Sequence, residues 1–287
     1  MVIVCTEKKF IFIKPFFVNG KCIEKNLQPY CKNKKDIIAT LFNYNNNCSN
    51  QRNVEILNMS NNCYPWYCYV HLPLSILFPK INKFYKDNIT SKYKKISILK
   101  NPFVSLIDFF ILHTDEYFDN EGKKIKHTKI KPGKSDIKNP PWFWKLYGGS
   151  FKITHYWEEL ENQDNWEKIK NMFNKWIMSG IIYDYQVNNW ETLNEHYYYN
   201  NREEKKNEID FFIRFENMND DIKLLCKEIN IPVFQVKEEN IIRKKNIFNN
   251  KKLKDFYNPD TIEYVNNTFN FTIDIGNYKY NEDQIYY

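Results

Sequence analysis

Three stretches of this chain place charged or polar side chains where an anion can be bound. The first is Val18-Asn19-Gly20-Lys21-Cys22, which follows the apolar run Lys9–Lys14 and precedes Ile23 and Leu27, spaced as on one helix face. A glycine turn between a strand and a helix presents backbone N–H groups and the positive helix end to an anion. The second is Lys100, which ends the run KISIL and is followed by Asn101, Pro102, Ser105 and Asp108. The third is DFFIRFENMNDD, with Arg214, Glu216, Asn217 and Asp221. A basic segment, Glu238–Lys252, adds Arg243, Lys244 and Lys245. The seven cysteines (Cys5, Cys22, Cys31, Cys48, Cys63, Cys68 and Cys226) form no CxxC pair, and their odd number suits free thiols in a reducing compartment. No G-x-x-x-x-G-K-[ST] sequence occurs, which excludes a Walker-type NTPase.

Positioning these residues requires strands that each feed a helix. Lys9–Lys14, Lys95–Leu99 and Asp210–Phe215 are short β-branched and aromatic runs of the kind buried in a sheet. The segments after them, Cys22–Tyr30, Phe103–Leu112 and Asn217–Ile229, carry helical apolar spacing. Repeated strand–helix units predict an α/β fold with a parallel sheet, in which ligands sit at the carboxyl ends of the strands. Those ends are Lys14–Cys22, Lys100–Asp108 and Phe215–Asp221. Further helices are expected at Pro73–Tyr85, within Trp142–Gly180, with Trp157, Trp166 and Trp176 facing a core, and at Pro259–Phe269, where Asn258 is the expected cap. Asn43–Asn62 and Asp119–Pro141 read as loops, the latter an insertion in a single domain spanning 1–287.

Composition bounds the reading. Across 287 residues, aromatics make up 17%, which gives ample apolar surface to bury and excludes a disordered chain. The net charge of +7 is carried almost wholly by lysine; the arginines are Arg52, Arg202, Arg214 and Arg243. Abundant Asn, Lys, Ile, Tyr and Phe with few Ala, Gly and Arg is the imprint of an AT-rich coding sequence. A specific nucleic-acid reader would be expected to use Arg, so none is expected as a partner. A general polyanion binder using surface lysines stays open, and predicts steeply salt-dependent binding. No apolar run reaches the ~20 residues of a membrane span and no signal peptide is read, so a cytoplasmic location is expected.

The order of these segments resembles the P-loop sulfotransferases of the carbohydrate (family 2) type. Gly20, Ile23, Glu24 and Leu27 fall on the family's opening loop and helix. Lys100-Asn101-Pro102 through Asp108 falls on its R-N-P-x-x-R-x-x-S strand end. RFENMNDD is similar to its R-[FY]-E-N-x-x-x-D stretch, and Lys252–Tyr280 to its closing helix and tail. The resemblance covers most of the chain. It implies a three-layer α/β sandwich, with a mostly parallel central sheet and helices on both faces. It also implies transfer of a sulfuryl group from 3′-phosphoadenosine 5′-phosphosulfate (PAPS) to a hydroxyl of a glycan or other acceptor, with no metal. By the same resemblance Val18, Asn19, Gly20, Lys21, Cys22, Lys100, Asp108, Arg243, Lys244 and Lys245 would hold the donor. Lys21 would supply the loop cation and His71 the general base. Arg214 and Glu216 would tie strand to helix.

The departures from the family pattern define two outcomes. Phe17 stands where the loop lysine is expected, Val18 at a threonine, and Lys21 and Cys22 at threonine and serine. Lys100 keeps a positive charge but loses the arginine fork, and Ser105 replaces the second arginine. Asp108 replaces a phosphate-binding serine. Two like charges ~4 Å apart cost about 4 kcal/mol at an effective dielectric of ~20. Either Lys21 and the basic loop compensate and the chain is an enzyme, or the chain keeps the fold and binds a glycan or protein partner without catalysis.

Overall fold

A computed structural model describes residues 2–15, 20–39, 74–115, 166–178, 195, 198–199, 204–236 and 251–285. These residues form a five-stranded mixed sheet and a set of helices, an α/β protein. The strands are β1 (Val2–Cys5), β2 (Phe10–Ile13), β3 (Ile37–Ala39), β4 (Lys94–Leu99) and β5 (Phe211–Arg214). Their order across the sheet is β3-β1-β2-β4-β5.

The three strands expected from the sequence are β2, β4 and β5, and they lie side by side in parallel. Each runs toward a helix: α1 (Lys21–Leu27), α3 (Pro102–Asp115) and α5 (Met218–Glu228). The other two strands are antiparallel, so the sheet is half antiparallel where a mostly parallel one is expected. β1 pairs with β2 through a tight hairpin, Cys5 opposite Phe10, and the turn Thr6–Lys9 places Lys9 at φ 52° without a glycine. The remaining helices are α2 (Leu74–Tyr85), α4 (Trp166–Met178), α6 (Leu253–Phe256), α7 (Pro259–Thr268) and α8 (Asn270–Gly276).

The chain divides into two compact units. One comprises Met1–Asn101, Leu193–Ile241 and Asp274–Gly276; the other comprises Pro102–Thr192, Ile242–Ile273 and Asn277–Tyr287. In the first, register sets one apolar face. Ile3 lies opposite Phe12, Phe12 beside Ile96 and Ile96 beside Phe211; Ile98 pairs with Ile213 in the next row. Ile23 and Leu27 of α1 and Ile222, Leu225 and Cys226 of α5 complete the same cluster. On the alternate positions, the buried Ser97 hydroxyl donates to the Ile13 carbonyl at 2.8 Å. Tyr198 stands edge-on to Phe212, ring centres 5.3 Å apart, and its hydroxyl donates to the Ile98 carbonyl at 2.8 Å.

The second unit is an aromatic core. Phe103, Phe110, Phe173, Phe256 and Tyr257 meet edge-to-face. Asn174 ties α4 to the α6–α7 link: its amide donates to the Phe256 carbonyl at 2.6 Å and its oxygen accepts from the Asn258 N–H at 3.0 Å. Asn258 caps α7 as expected, accepting from the Thr261 N–H at 2.8 Å, with Pro259 at the first helical position. Trp166 opens α4 and donates its indole N–H to the Asp255 carbonyl. Trp157 and the segments 40–73, 119–141 and 142–165 lie outside the described residues.

Burial, and then the carboxylates of Glu195 and Glu216, push the Tyr198 phenol well above its ordinary value of about 10. A phenol with a raised folded value stabilises below its ordinary value, and that contribution is lost as pH rises past it. Unfolding by denaturant across a pH series should show stability falling above pH ~10. Tyr198→Phe should cost about 1 kcal/mol at neutral pH by removing the bond to Ile98. It should also flatten part of the alkaline loss; an unchanged alkaline slope would refute this account.

Candidate functional site

The carboxyl ends of β2, β4 and β5 form one edge of the first unit, and the three stretches singled out in the sequence reach it in turn. Lys14 leaves β2 and is buried, and its Nζ lies 3.0 Å from Oε2 of Glu24 on α1. Both side chains are almost wholly enclosed. Burial pushes the Lys14 ammonium below its ordinary value, Glu24 opposes that shift, and the charge on Lys21 adds to it. The second Glu24 oxygen, Oε1, has no hydrogen-bond partner among the described residues.

Gly20 sits where this pair crosses the sheet. A Cβ there would lie 2.5 Å from Ile98 Cδ1 and 2.6 Å from Lys14 Cδ. The backbone at Gly20 has an ordinary negative φ of −76°, so glycine is required by space and not by conformation. It lets the start of α1 close onto β2 and β4 with the Lys14 stem beneath it. The Gly20 carbonyl accepts the first helical bond, from the Glu24 N–H at 3.0 Å.

At the end of β4, Lys100 and Asn101 are buried. The Lys100 Nζ lies 4.2 Å from the centre of the Phe215 ring, a cation–π contact. The Asn101 N–H donates to Glu216 Oε1 at 2.8 Å, which joins the second and third stretches. At the end of β5 the Arg214 guanidinium grips Asp221 with two bonds, Nε to Oδ2 at 2.9 Å and Nη2 to Oδ1 at 2.7 Å. The Arg214 N–H donates to the same carboxylate at 2.8 Å and the Asn217 amide at 3.1 Å. Burial would raise the Asp221 carboxyl, but the hydrogen bonds from Arg214, with help from its charge and from Asn217, hold it below its ordinary value. The strand-to-helix tie expected of Arg214 with Glu216 is therefore split: Arg214 works with Asp221, and Glu216 reaches back to β4.

Of the candidate residues, Gly20, Lys21 and Cys22 lie at the start of α1, with Lys21 exposed and Cys22 half-buried, and Lys100 lies at the end of β4. Asp108 belongs to the second unit, buried on α3, where its charge helps raise the Tyr257 phenol, a shift due first to burial. Phe17, Val18, Asn19, His71, Arg243, Lys244 and Lys245 lie outside the described residues. Spacing in the sequence does not reveal that Lys14 is held by Glu24, nor that Glu216 serves Asn101. The single available signal is a charged residue at i, i+3 in α1 that would face the apolar core without a partner.

Three variants test this construction. Glu24→Gln leaves the buried Lys14 charge unbalanced and should cost about 3–5 kcal/mol, whereas Lys14→Met with Glu24→Leu should recover most of it. Gly20→Ala should cost about 1–3 kcal/mol by forcing α1 off the sheet. Denaturant unfolding reads all three; additive single-site losses at Lys14 and Glu24 would contradict the pair.

Compared with protein-family models, curated proteins and solved structures, the chain matches none.

Proposed function

We propose that this chain is a sulfotransferase-like protein that binds PAPS and its product 3′-phosphoadenosine 5′-phosphate (PAP) along the carboxyl edge of β2, β4 and β5. One observation supports the reading above the rest. The three resembling stretches meet at that edge, Gly20 against Ile98 and Asn101 on Glu216, on three adjacent parallel strands. Carboxyl edges of parallel strands are where α/β folds receive nucleotides. In this reading Lys21 and Lys100 attract the phosphate groups. The acceptor is a hydroxyl of a glycan or similar molecule. Its oxygen attacks sulfur, the bond from sulfur to the phosphate oxygen breaks, and His71 takes the hydroxyl proton.

A second reading is favoured by Lys14. Its ammonium, at the end of β2, is engaged by Glu24, while Phe17 occupies the position of the expected loop lysine. A site with fewer cations at the reacting phosphate would bind the nucleotide and fail to transfer sulfur, leaving a binding protein of the same fold.

Thermal unfolding with PAP separates these from a chain with no nucleotide site. At a hundredfold excess over Kd, linkage supplies about 2.7 kcal/mol, a rise in Tm of roughly 5 °C. Lys100→Ala should weaken PAP binding about tenfold or more. Release of PAP from PAPS in the presence of glycan acceptors marks the enzyme, and binding without release marks the second reading. No shift at millimolar PAP would end both.

A further inference from the structure

Away from that edge, two thiols and a carboxylate converge inside the first unit. Cys5 ends β1, Cys31 follows the short 3-10 turn Gln28–Tyr30, and Asp36 immediately precedes β3. Their ligand atoms, the two Sγ and a carboxylate oxygen, all lie within 4.8 Å of one another, and all three residues are buried. We propose that Cys5, Cys31 and Asp36 form a binding site for a divalent cation of the zinc class.

Three features argue for a cation. First, the donor set selects it. Thiolates favour zinc over magnesium or calcium, and the carboxylate oxygen disfavours the purely soft copper(I). Second, the carboxylate is pre-oriented. Asp36 Oδ1 accepts from the Thr6 N–H at 2.8 Å and the Thr6 hydroxyl at 2.5 Å, and Oδ2 accepts from the Asn33 N–H at 2.8 Å. A carboxylate has about four acceptor positions, so this leaves one for a metal. Hydrogen-bonded carboxylates of this kind are the usual support of a metal ligand. Third, Asp36 is 7% exposed, yet among the described residues no lysine or arginine forms an ion pair with it. A buried carboxylate without a counter-ion is costly, and a bound cation removes that cost.

The surroundings allow a fourth ligand, and a cavity lies beside the residues that hold Asp36. The Tyr30 carbonyl lies 3.4 Å from Cys5 Sγ and the Leu27 carbonyl 3.9 Å from Cys31 Sγ, so a backbone oxygen or a water can complete four-coordination. An open cavity of about 440 Å³ is walled in part by Thr6 and Asn33, the two residues that hold Asp36. Binding releases the two thiol protons to solvent, and the filled site carries one net negative charge.

The test uses the full chain, reduced and freed of metal with a chelator. Zinc competed against a chromophoric chelator should bind at one equivalent per chain. Asp36→Asn should weaken it at least tenfold and Cys5→Ser more, whereas the Cys63→Ser, Cys68→Ser double variant should leave it unchanged. Should Cys5→Ser fail to fold, cobalt added to the parent chain gives the answer. Thiolate-to-cobalt charge-transfer absorption is expected, reduced in Asp36→Asn. Zinc should also shield Cys5 and Cys31, but not Cys22, from alkylation. Absence of stoichiometric binding, binding indifferent to Asp36→Asn, or a Cys5–Cys31 disulfide that forms despite saturating zinc would each overturn the proposal, the last identifying a redox pair.

Discussion

Strand β2 has no free edge and no free face, and the rest of the first unit is arranged around that fact. One edge pairs antiparallel with β1 and the other parallel with β4. Its four residues, Phe10 to Ile13, are all fully buried. A strand buried on both faces reads as an unbroken apolar run and tolerates no register slip, because a shift of one residue would exchange its two faces. Phe10 and Phe12 therefore fix which side of the sheet α1 and α5 cover, and Ile13 fixes where the Ser97 hydroxyl finds its acceptor. The chain leaving such a strand must begin inside the protein. Lys14 emerges buried for this reason, and Glu24 is the charge that makes its burial tolerable.

That pairing sets the electrostatics of the carboxyl edge. A buried ion pair is weak evidence for stability, since desolvation of both groups offsets most of their attraction. Its consequence here is positional. The Lys14 stem that reaches Glu24 passes so close to Gly20 that a Cβ there would overlap it. The Lys14 cation at the end of β2 is thereby committed to Glu24, and Lys21 on the first turn of α1 is exposed. The Asn101–Glu216 bond and the Arg214–Asp221 clamp likewise commit polar groups to holding the chain at the ends of β4 and β5.

Legibility in the sequence follows interaction range. β2, β4 and β5, and the helices after them, are visible because each is a contiguous apolar run or a helical period, and α7 because Asn258 and Pro259 announce its start. β1 escapes because its turn, Thr6–Lys9, contains no glycine to announce a hairpin; Lys9 takes the left-handed conformation instead. β3 escapes because three residues carry no period, and only pairing with β1 makes them a strand. The antiparallel half of the sheet was therefore hidden while the parallel half was plain. At the site, Lys100 and Arg214 are legible as charges at strand ends, but their partners depend on which strands are neighbours. The cysteines show no ligand spacing because Cys5 ends β1 while Cys31 and Asp36 lie in the link before β3, and only the sheet brings them together.

The same register shows that the two ends of β2 are chemically separate. Cys5 stands opposite Phe10, and Asp36 precedes Ile37, which pairs with Val4, so the thiol–carboxylate cluster lies at the amino end of β2. Lys14 and Gly20 lie at its carboxyl end. Three strand steps of about 3.3 Å separate those ends, roughly 10 Å through packed apolar side chains. At an effective dielectric of 20, two unit charges at that distance interact by about 1.7 kcal/mol. A filled cation site would carry a single negative charge, since two thiolates and a carboxylate exceed the metal's two. It would therefore repel an incoming phosphate slightly and could not assist it by charge. Beyond that through-space interaction, any influence of one end on the other has to pass through the packing of Phe10 and Phe12, which are fully buried between them.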